Sequence, residues 1–177
     1  YSERNKFKLK FVEDNENQDL TETIINSLCK DTSAVVVSYV QFSTGSKIDV
    51  VRLRRSTKRF NIKLIVDVTQ AAGALVVDSK IWNCDAIVCS GYKWLGGHGG
   101  VGLAVLSEEL ISKTPLTPGW MGAENPFSIS HKYLSLSKTA RRFTQATMSY
   151  VSIKGLEVSI KELLEMKIQN IEKHSKD

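Results

Sequence analysis

Apolar residues along this chain follow two rhythms that take turns. Ala34–Val40 (AVVVSYV), Lys63–Val66 and Ala86–Cys89 hold short apolar runs rich in β-branched residues, the pattern of buried strands. Between them the apolar positions spread to helical spacing. Leu20–Leu28 carries Leu20, Ile24, Ile25 and Leu28 on one stripe, and Asp19 with Glu22 three residues on comes close to a capping box. Ile48–Phe60 turns Ile48, Val51, Leu53 and Phe60 toward a core and its arginines outward. Val101–Leu106 predicts a further strand, and Ser107 the cap of a short helix, Glu108–Ser112. From Val151 a long amphipathic helix is expected, with Ile153, Leu156, Ile160, Leu163, Leu164, Ile168 and Ile171 on one side and Gly155 weakening its start. Phe7–Val12 alternates loosely and reads as a strand ahead of all these.

Strand alternating with helix predicts an α/β fold with a mainly parallel sheet. The link from Lys93 to Val101 is too short for a helical crossover, so Val101–Leu106 is expected to run antiparallel to its predecessor. The small-residue segment Thr69–Ala74 reads as the start of a helix. Thr114–Thr139 has little periodicity and holds all three prolines, Pro115, Pro118 and Pro126, the mark of a long loop crossing a site or an interface.

The strand ends carry the chemistry. Asp67, Thr69 and Gln70 follow the second buried run; Ser90, Gly91, Tyr92 and Lys93 follow the third. Ligands of open α/β sheets sit at the carboxyl ends of strands, so neighbouring parallel strands would deliver a carboxylate, an amide, a hydroxyl and a lysine to one crevice. A lysine forms a Schiff base with an aldehyde, and a carboxylate holds a pyridine nitrogen protonated so that the ring accepts electrons. That pair suits pyridoxal 5'-phosphate (PLP). Tyr92 and Trp94 flank the lysine and would enclose it. Taken singly, each residue has a plainer reading: a solvated loop lysine, an aspartate N-cap, turn residues at Ser90 and Tyr92. The Gly96–Gly102 run (GGHGGVG) is followed by a strand and not a helix, so it fits neither nucleotide loop and reads as tight backbone turning, with His98 either lining a pocket or exposed.

The order Asp67, Gln70, Ser90, Lys93, with Lys93 26 residues beyond Asp67 and the glycine run behind it, closely resembles the class V aminotransferases of PLP fold type I. That group includes cysteine desulfurases, selenocysteine lyases and isopenicillin-N-epimerase-like proteins. The resemblance implies a three-layer α/β large domain with a mostly parallel sheet. It implies Lys93 as the Schiff-base lysine and Asp67 as partner of the pyridine nitrogen, the two catalytic residues. Gln70 would contact the ring's 3-hydroxyl and Ser90 the phosphate. Tyr92 stands where desulfurases often have His, and the GYKWL wording is closer to the epimerase-like branch. The family's Asn near Phe42 is absent, with Gln41 a substitute candidate. Arg141–Thr147 (RRFTQAT) resembles the family's R-F-E-x-G-T segment, whose threonine reaches the phosphate in a partner subunit; Thr147 carries that over, while Gln145 and Ala146 depart from it.

By the same resemblance the protein is a homodimeric, PLP-dependent enzyme acting on an amino-acid substrate, as a transaminase, a desulfurase or other lyase, or an epimerase-like protein. It also implies a partial chain, with 1–150 as part of the PLP-binding large domain and 151–177 as a long helix leading towards a C-terminal small domain outside it. Such a domain normally carries an arginine for the substrate carboxylate and, in desulfurases, a nucleophilic cysteine, which none of Cys29, Cys84 and Cys89 matches. The competing reading is a catalytically incomplete protein or a non-enzymatic α/β binding module.

Composition narrows the partners. The 177 residues suffice for one domain with a core, and 42% hydrophobic with 24% charged residues is ordinary for a soluble globular protein. The net charge of +5 is spread out, apart from Arg52, Arg54, Arg55, Lys58 and Arg59 on one helix, which read as a solvated face before an anionic site. No basic–aromatic interleaving points to nucleic acid, and no stretch is long enough to span a membrane. The cysteines lack metal-ligand spacing, so no metal is expected; their odd number and two strand-like contexts suggest reduced thiols and a cytoplasmic location.

Overall fold

The computed structural model describes residues 7–15, 17–128 and 134–175. A four-stranded sheet organises them in the order β1 (Ala34–Ser38), β2 (Lys63–Asp67), β3 (Ala86–Ser90), β4 (Gly102–Leu106). The first three strands are parallel and β4 returns antiparallel to β3, as the short link before it requires. Helices α1 (Leu20–Ser27), α2 (Val50–Arg59), α3 (Ser79–Trp82), α4 (Glu108–Ser112), α5 (Tyr150–Met166) and α6 (Ile168–His174) occupy the connections and the C-terminal part. The architecture is α/β with a mostly parallel sheet, as the alternating periods predict.

Register divides the sheet into two faces. Val35, Val37, Leu64, Val66, Ile87 and Cys89 share one, and the last four are buried. On that side α2 packs against β2 through Val50, Leu53 and Thr57, spaced three and four apart on one stripe. α1 packs on α2, and the buried Thr21 hydroxyl accepts the Asp49 N–H at 2.9 Å. Aspartates cap both helices: Asp19 accepts the Thr21 N–H at 2.8 Å and Asp49 the Arg52 N–H at 2.9 Å. The opposite face carries Val36, 75% exposed, beside Ile65 and Ala86.

Four expectations about the elements change. Phe7–Val12 forms no strand: Phe7, Leu9 and Phe11 are exposed and only Val12 packs on the core, so the alternation has no buried face to pair against. α2 begins after its cap Asp49, leaving Ile48 buried outside the helix, and Phe60 lies past its end, 57% exposed. Thr69–Ala74 forms consecutive turns, the first closed by Ala71 and Ala72 N–H on the Val68 carbonyl and the next holding Gly73 at φ +100°. The C-terminal helix is two helices, broken at Lys167 with φ +64°. Leu156, Ile160 and Leu163 of its expected stripe pack on the core, whereas Leu164 is exposed.

At the amino end of β3, Asp85 is buried in an ion network. Its carboxylate accepts the Leu64 N–H at 2.9 Å and Arg54 Nη1 at 2.6 Å, with Lys63 Nζ at 3.5 Å. Its backbone N–H donates to the Leu64 carbonyl and its carbonyl accepts from Ser107. Arg54 therefore turns inward, unlike the solvated arginines expected of α2. Burial pushes the Asp85 carboxyl up, but the Leu64 N–H and the Arg54 and Lys63 cations outweigh it and hold the group below the usual carboxylate range. A carboxyl depressed in the folded state stabilises the fold above its unfolded pKa, and that contribution is lost as pH falls through the folded value.

Removing the carboxylate strands Arg54 and the Leu64 N–H, so Asp85→Ala should cost about 3–5 kcal/mol, read from urea unfolding at neutral pH. Asp85→Asn should in addition flatten the loss of stability between about pH 5 and pH 1. Parallel pH curves for Asp85→Asn and the unaltered chain would mean that other carboxyls govern acid unfolding.

Candidate active site

Parallel pairing brings the carboxyl ends of β1, β2 and β3 to one edge of the sheet. Asp67 is the last residue of β2, Ser90 the last of β3, and Lys93 follows three residues later. Asp67 pairs with Val88, and the Val68 N–H continues the ladder to the Val88 carbonyl at 2.8 Å. The next rung of a parallel ladder would join the Ser90 N–H to the Val68 carbonyl. That carbonyl already accepts the Ala71 and Ala72 N–H groups, each at 2.8 Å. The Thr69 hydroxyl stands in, accepting the Ser90 N–H at 3.0 Å, while the Thr69 backbone N–H donates to Asp67 Oδ1 at 2.7 Å in an Asx turn. One threonine thus ties the two strand ends together.

Lys93 lies in a tight turn whose carbonyl accepts the Gly96 N–H at 2.9 Å; Gly97 N–H closes back to Gly91 at 2.8 Å. Three contacts grip this loop. Gly73 approaches so closely that a Cβ there would lie 2.3 Å from the Trp94 carbonyl oxygen. Leu156 of α5 packs against Gly91 and Gly97, and the Ser159 hydroxyl donates to the Leu95 carbonyl at 2.7 Å. The enclosure expected from the flanking rings is not observed: Lys93 is exposed, Tyr92 and Trp94 are 55% and 57% exposed, and the Lys93 ammonium lies 5.5 Å from the Tyr92 ring centroid. His98 is exposed as well. A cleft of about 510 Å³ along α1, between Gln18 and Ser27, contains none of these residues.

Gln70 is half-buried in the turn after Thr69. Gln41 Oε1 accepts the Phe42 N–H at 2.8 Å and so closes its own loop. Asp67, Gln70, Ser90, Tyr92 and Lys93 therefore belong to the two segments that leave β2 and β3 at the same edge. Thr147 is exposed and, among the described residues, shares no hydrogen bond with any of them. Its segment is clamped elsewhere: Arg141 Nη2 donates to the Ala123 and Glu124 carbonyls at 3.0 and 2.9 Å, and Arg142 Nη1 to Ile111 at 2.7 Å. These bonds tie the segment before Thr147 to α4 and to the Thr114–Thr139 loop just past its 3-10 turn, Trp120–Gly122; residues 129–133 of that loop lie outside the described residues.

All three cysteines are unpaired. Burial pushes the Cys89 thiol up, the Asp67 charge adds to this, and the Thr69 hydroxyl works against it. Burial pushes Cys84 up to about 11. Among the described residues no helix is long and apolar enough to cross a membrane. Sequence reasoning placed Thr69 at the strand end and Arg142 in the segment before Thr147 but gave neither a role, and did not single out Gly73 or Ser159; the one local signal was a hydroxyl residue two places after a strand-end aspartate, which reads as an ordinary turn.

The family model for aminotransferase class-V matches residues 1–177. The chain belongs to that family. Among relatives of this class-V chain, the probable cysteine desulfurase of Borreliella burgdorferi is 28% identical over 172 residues, covering 96% of this chain and 40% of the relative. A kynureninase of Deinococcus radiodurans is 27% identical over 132 residues, covering 73% and 32%. The apo structure of a cysteine desulfurase from Thermococcus onnurineus NA1 matches with a TM-score of 0.81 at 25% identity, covering 94% of this chain and 41% of that one. The class-V chain thus spans about a third to two fifths of the length of these relatives.

The grip on the lysine loop is open to test at Gly73. Gly73→Ala meets both a φ of +100° and the Trp94 carbonyl, so it should destabilise the fold by more than about 1 kcal/mol and shift the Trp94 and Leu95 amide resonances. An unperturbed spectrum would show that this contact does not hold the loop.

Proposed function

We propose that this class-V protein works with pyridoxal 5'-phosphate on an amino acid, in a transaminase, desulfurase or other lyase, or epimerase-like reaction. The observation that carries this reading is the Thr69 tie between the β2 and β3 ends, at the edge that bears a carboxylate, a hydroxyl and a lysine. The donor set suits the cofactor. Asp67 Oδ1 is engaged by the Thr69 N–H, while Oδ2 accepts no hydrogen bond among the described residues and suits a protonated ring nitrogen.

In this reading Lys93 would hold the cofactor covalently through its amine, Asp67 would pair with the pyridine nitrogen, Gln70 would contact the 3-hydroxyl, Ser90 would bind the phosphate and Tyr92 would line the site. When bound, the cofactor supplies an electron sink that renders the substrate's α-proton acidic. The residues of this chain do the remainder. The Asp67 carboxylate keeps the proton on the ring nitrogen, the Ser90 hydroxyl orients the phosphate, and the Lys93 amine, once free, takes the α-proton as general base.

Residues 1–150 are read as part of the cofactor-binding large domain and 151–177 as a helical link towards a small domain. The working unit is read as a homodimer in which Thr147 reaches the phosphate held by Ser90 of the partner subunit. The exposure of Met148, Tyr150 and Val151 beside Thr147 supports that reading. Three unpaired cysteines support a reducing compartment, the cytoplasm.

Borohydride reduces a lysine–aldehyde linkage to a stable amine. After PLP loading and reduction, peptide mass mapping should find one adduct, on Lys93. Lys93→Ala should lose it while unfolding stability stays within about 0.5 kcal/mol, since the side chain is exposed. An adduct surviving in Lys93→Ala would assign the linkage to another lysine. Sedimentation at micromolar concentration should show a dimer; a monomer would overturn the shared phosphate site.

A further inference from the structure

We infer that Thr69 is a positioning residue for phosphate recognition, acting through the backbone of Ser90; the inference rests on the reading of Ser90 as a phosphate ligand. The Ser90 N–H lies at the break in the β2–β3 ladder, where both acceptor positions of the Val68 carbonyl are occupied by Ala71 and Ala72. Its acceptor is the Thr69 hydroxyl at 3.0 Å. A half-buried N–H at a strand end that loses its partner seeks another, and the residue turns with it. The Ser90 side chain leaves the same Cα, so the direction of its hydroxyl follows from the bond that its N–H makes. The tie from Thr69 to Asp67 Oδ1 comes from its backbone and survives a change of side chain, whereas the contact of its hydroxyl with the Cys89 thiol does not. The hydroxyl of Thr69 thus serves the phosphate end of the site, and its N–H serves the ring-nitrogen end.

This separation makes the role testable with two ligands that differ only in the phosphate. Thr69→Val removes the acceptor and keeps the shape. Thr69→Ala removes it without setting a methyl group against Ser90, and Thr69→Ser keeps it. Equilibrium dissociation constants for PLP and for pyridoxal are measured on the unaltered protein and each variant, with circular dichroism to confirm the fold. Both Thr69→Val and Thr69→Ala should weaken PLP binding about tenfold, the scale of one lost hydrogen bond, and leave pyridoxal binding within about twofold. Thr69→Ser should restore PLP binding. A merely structural role would weaken both ligands together, and that outcome overturns the inference, as does a PLP preference that persists in Thr69→Val and Thr69→Ala. Equal affinity of the unaltered protein for PLP and pyridoxal would instead remove the phosphate role of Ser90, and the inference with it.

Discussion

The ladder between β2 and β3 stops one rung early, and the candidate site is built on that break. A chain that ran straight on past Asp67 would pair Val68 with the Ser90 N–H and carry Thr69 and Gln70 away along the sheet. It turns at once instead, and the turn consumes the Val68 carbonyl through Ala71 and Ala72. A fully buried N–H left without an acceptor costs about 1–3 kcal/mol, and at the half-buried Ser90 the early turn leaves a part of that cost to be offset. Thr69 supplies the acceptor from the turn itself. The same turn drives Gly73 against the Trp94 carbonyl, where only a residue without Cβ fits. Ladder end, threonine, glycine and lysine loop are consequences of one change of direction.

What was legible in the sequence was whatever depends on period and length. β1, β2, β3, α1 and α2 follow from runs and stripes, and the reversed β4 follows from a link too short to cross over. Phe7–Val12 failed because alternation describes a strand only if another strand is there to pair with it. Arg54 was indistinguishable from its neighbours on α2 until the buried Asp85 gave it a partner. The residues at the site were legible by type, since an aspartate, a serine and a lysine just past buried strands carry chemistry wherever they meet. Thr69 was not, because a hydroxyl that replaces a missing ladder bond is defined by a strand some twenty residues away in sequence. The broken C-terminal helix was hidden for a similar reason: Lys167 has nothing in its side chain that announces a positive φ.

The two ends of β3 do different work. Asp85 and Ser90 are five residues apart, roughly 17 Å along an extended strand. At the first, a buried carboxylate is satisfied by a backbone N–H and two cations, and Lys63 continues the network to Glu109 at 2.5 Å. Taking Asp85 away strands the half-buried Arg54, so this end cannot lose its carboxylate without loss of stability. At the second, the lysine and both flanking rings face outward and contribute little to the core. Residues at the open edge are therefore free to serve a ligand, because the register that aims them is secured from the closed end.

The lysine loop is also held from the far end of the chain. Ser159 on α5 bonds the Leu95 carbonyl, and Glu172 on α6 accepts the Val76 N–H at 3.0 Å, three residues beyond Gly73. One helix thus grips the loop and the other grips the segment that packs on it. A single straight helix rises about 1.5 Å per residue, so Ser159 and Glu172 would stand roughly 20 Å apart along its axis. Loop and segment meet at Gly73 and Trp94, between these two points of attachment. The chain breaks between the two contacts, at Lys167 with φ +64°, so that Ser159 and Glu172 stand on separate helices. The C-terminal residues, in two helices where the apolar stripe predicts one, thus brace both sides of the candidate site.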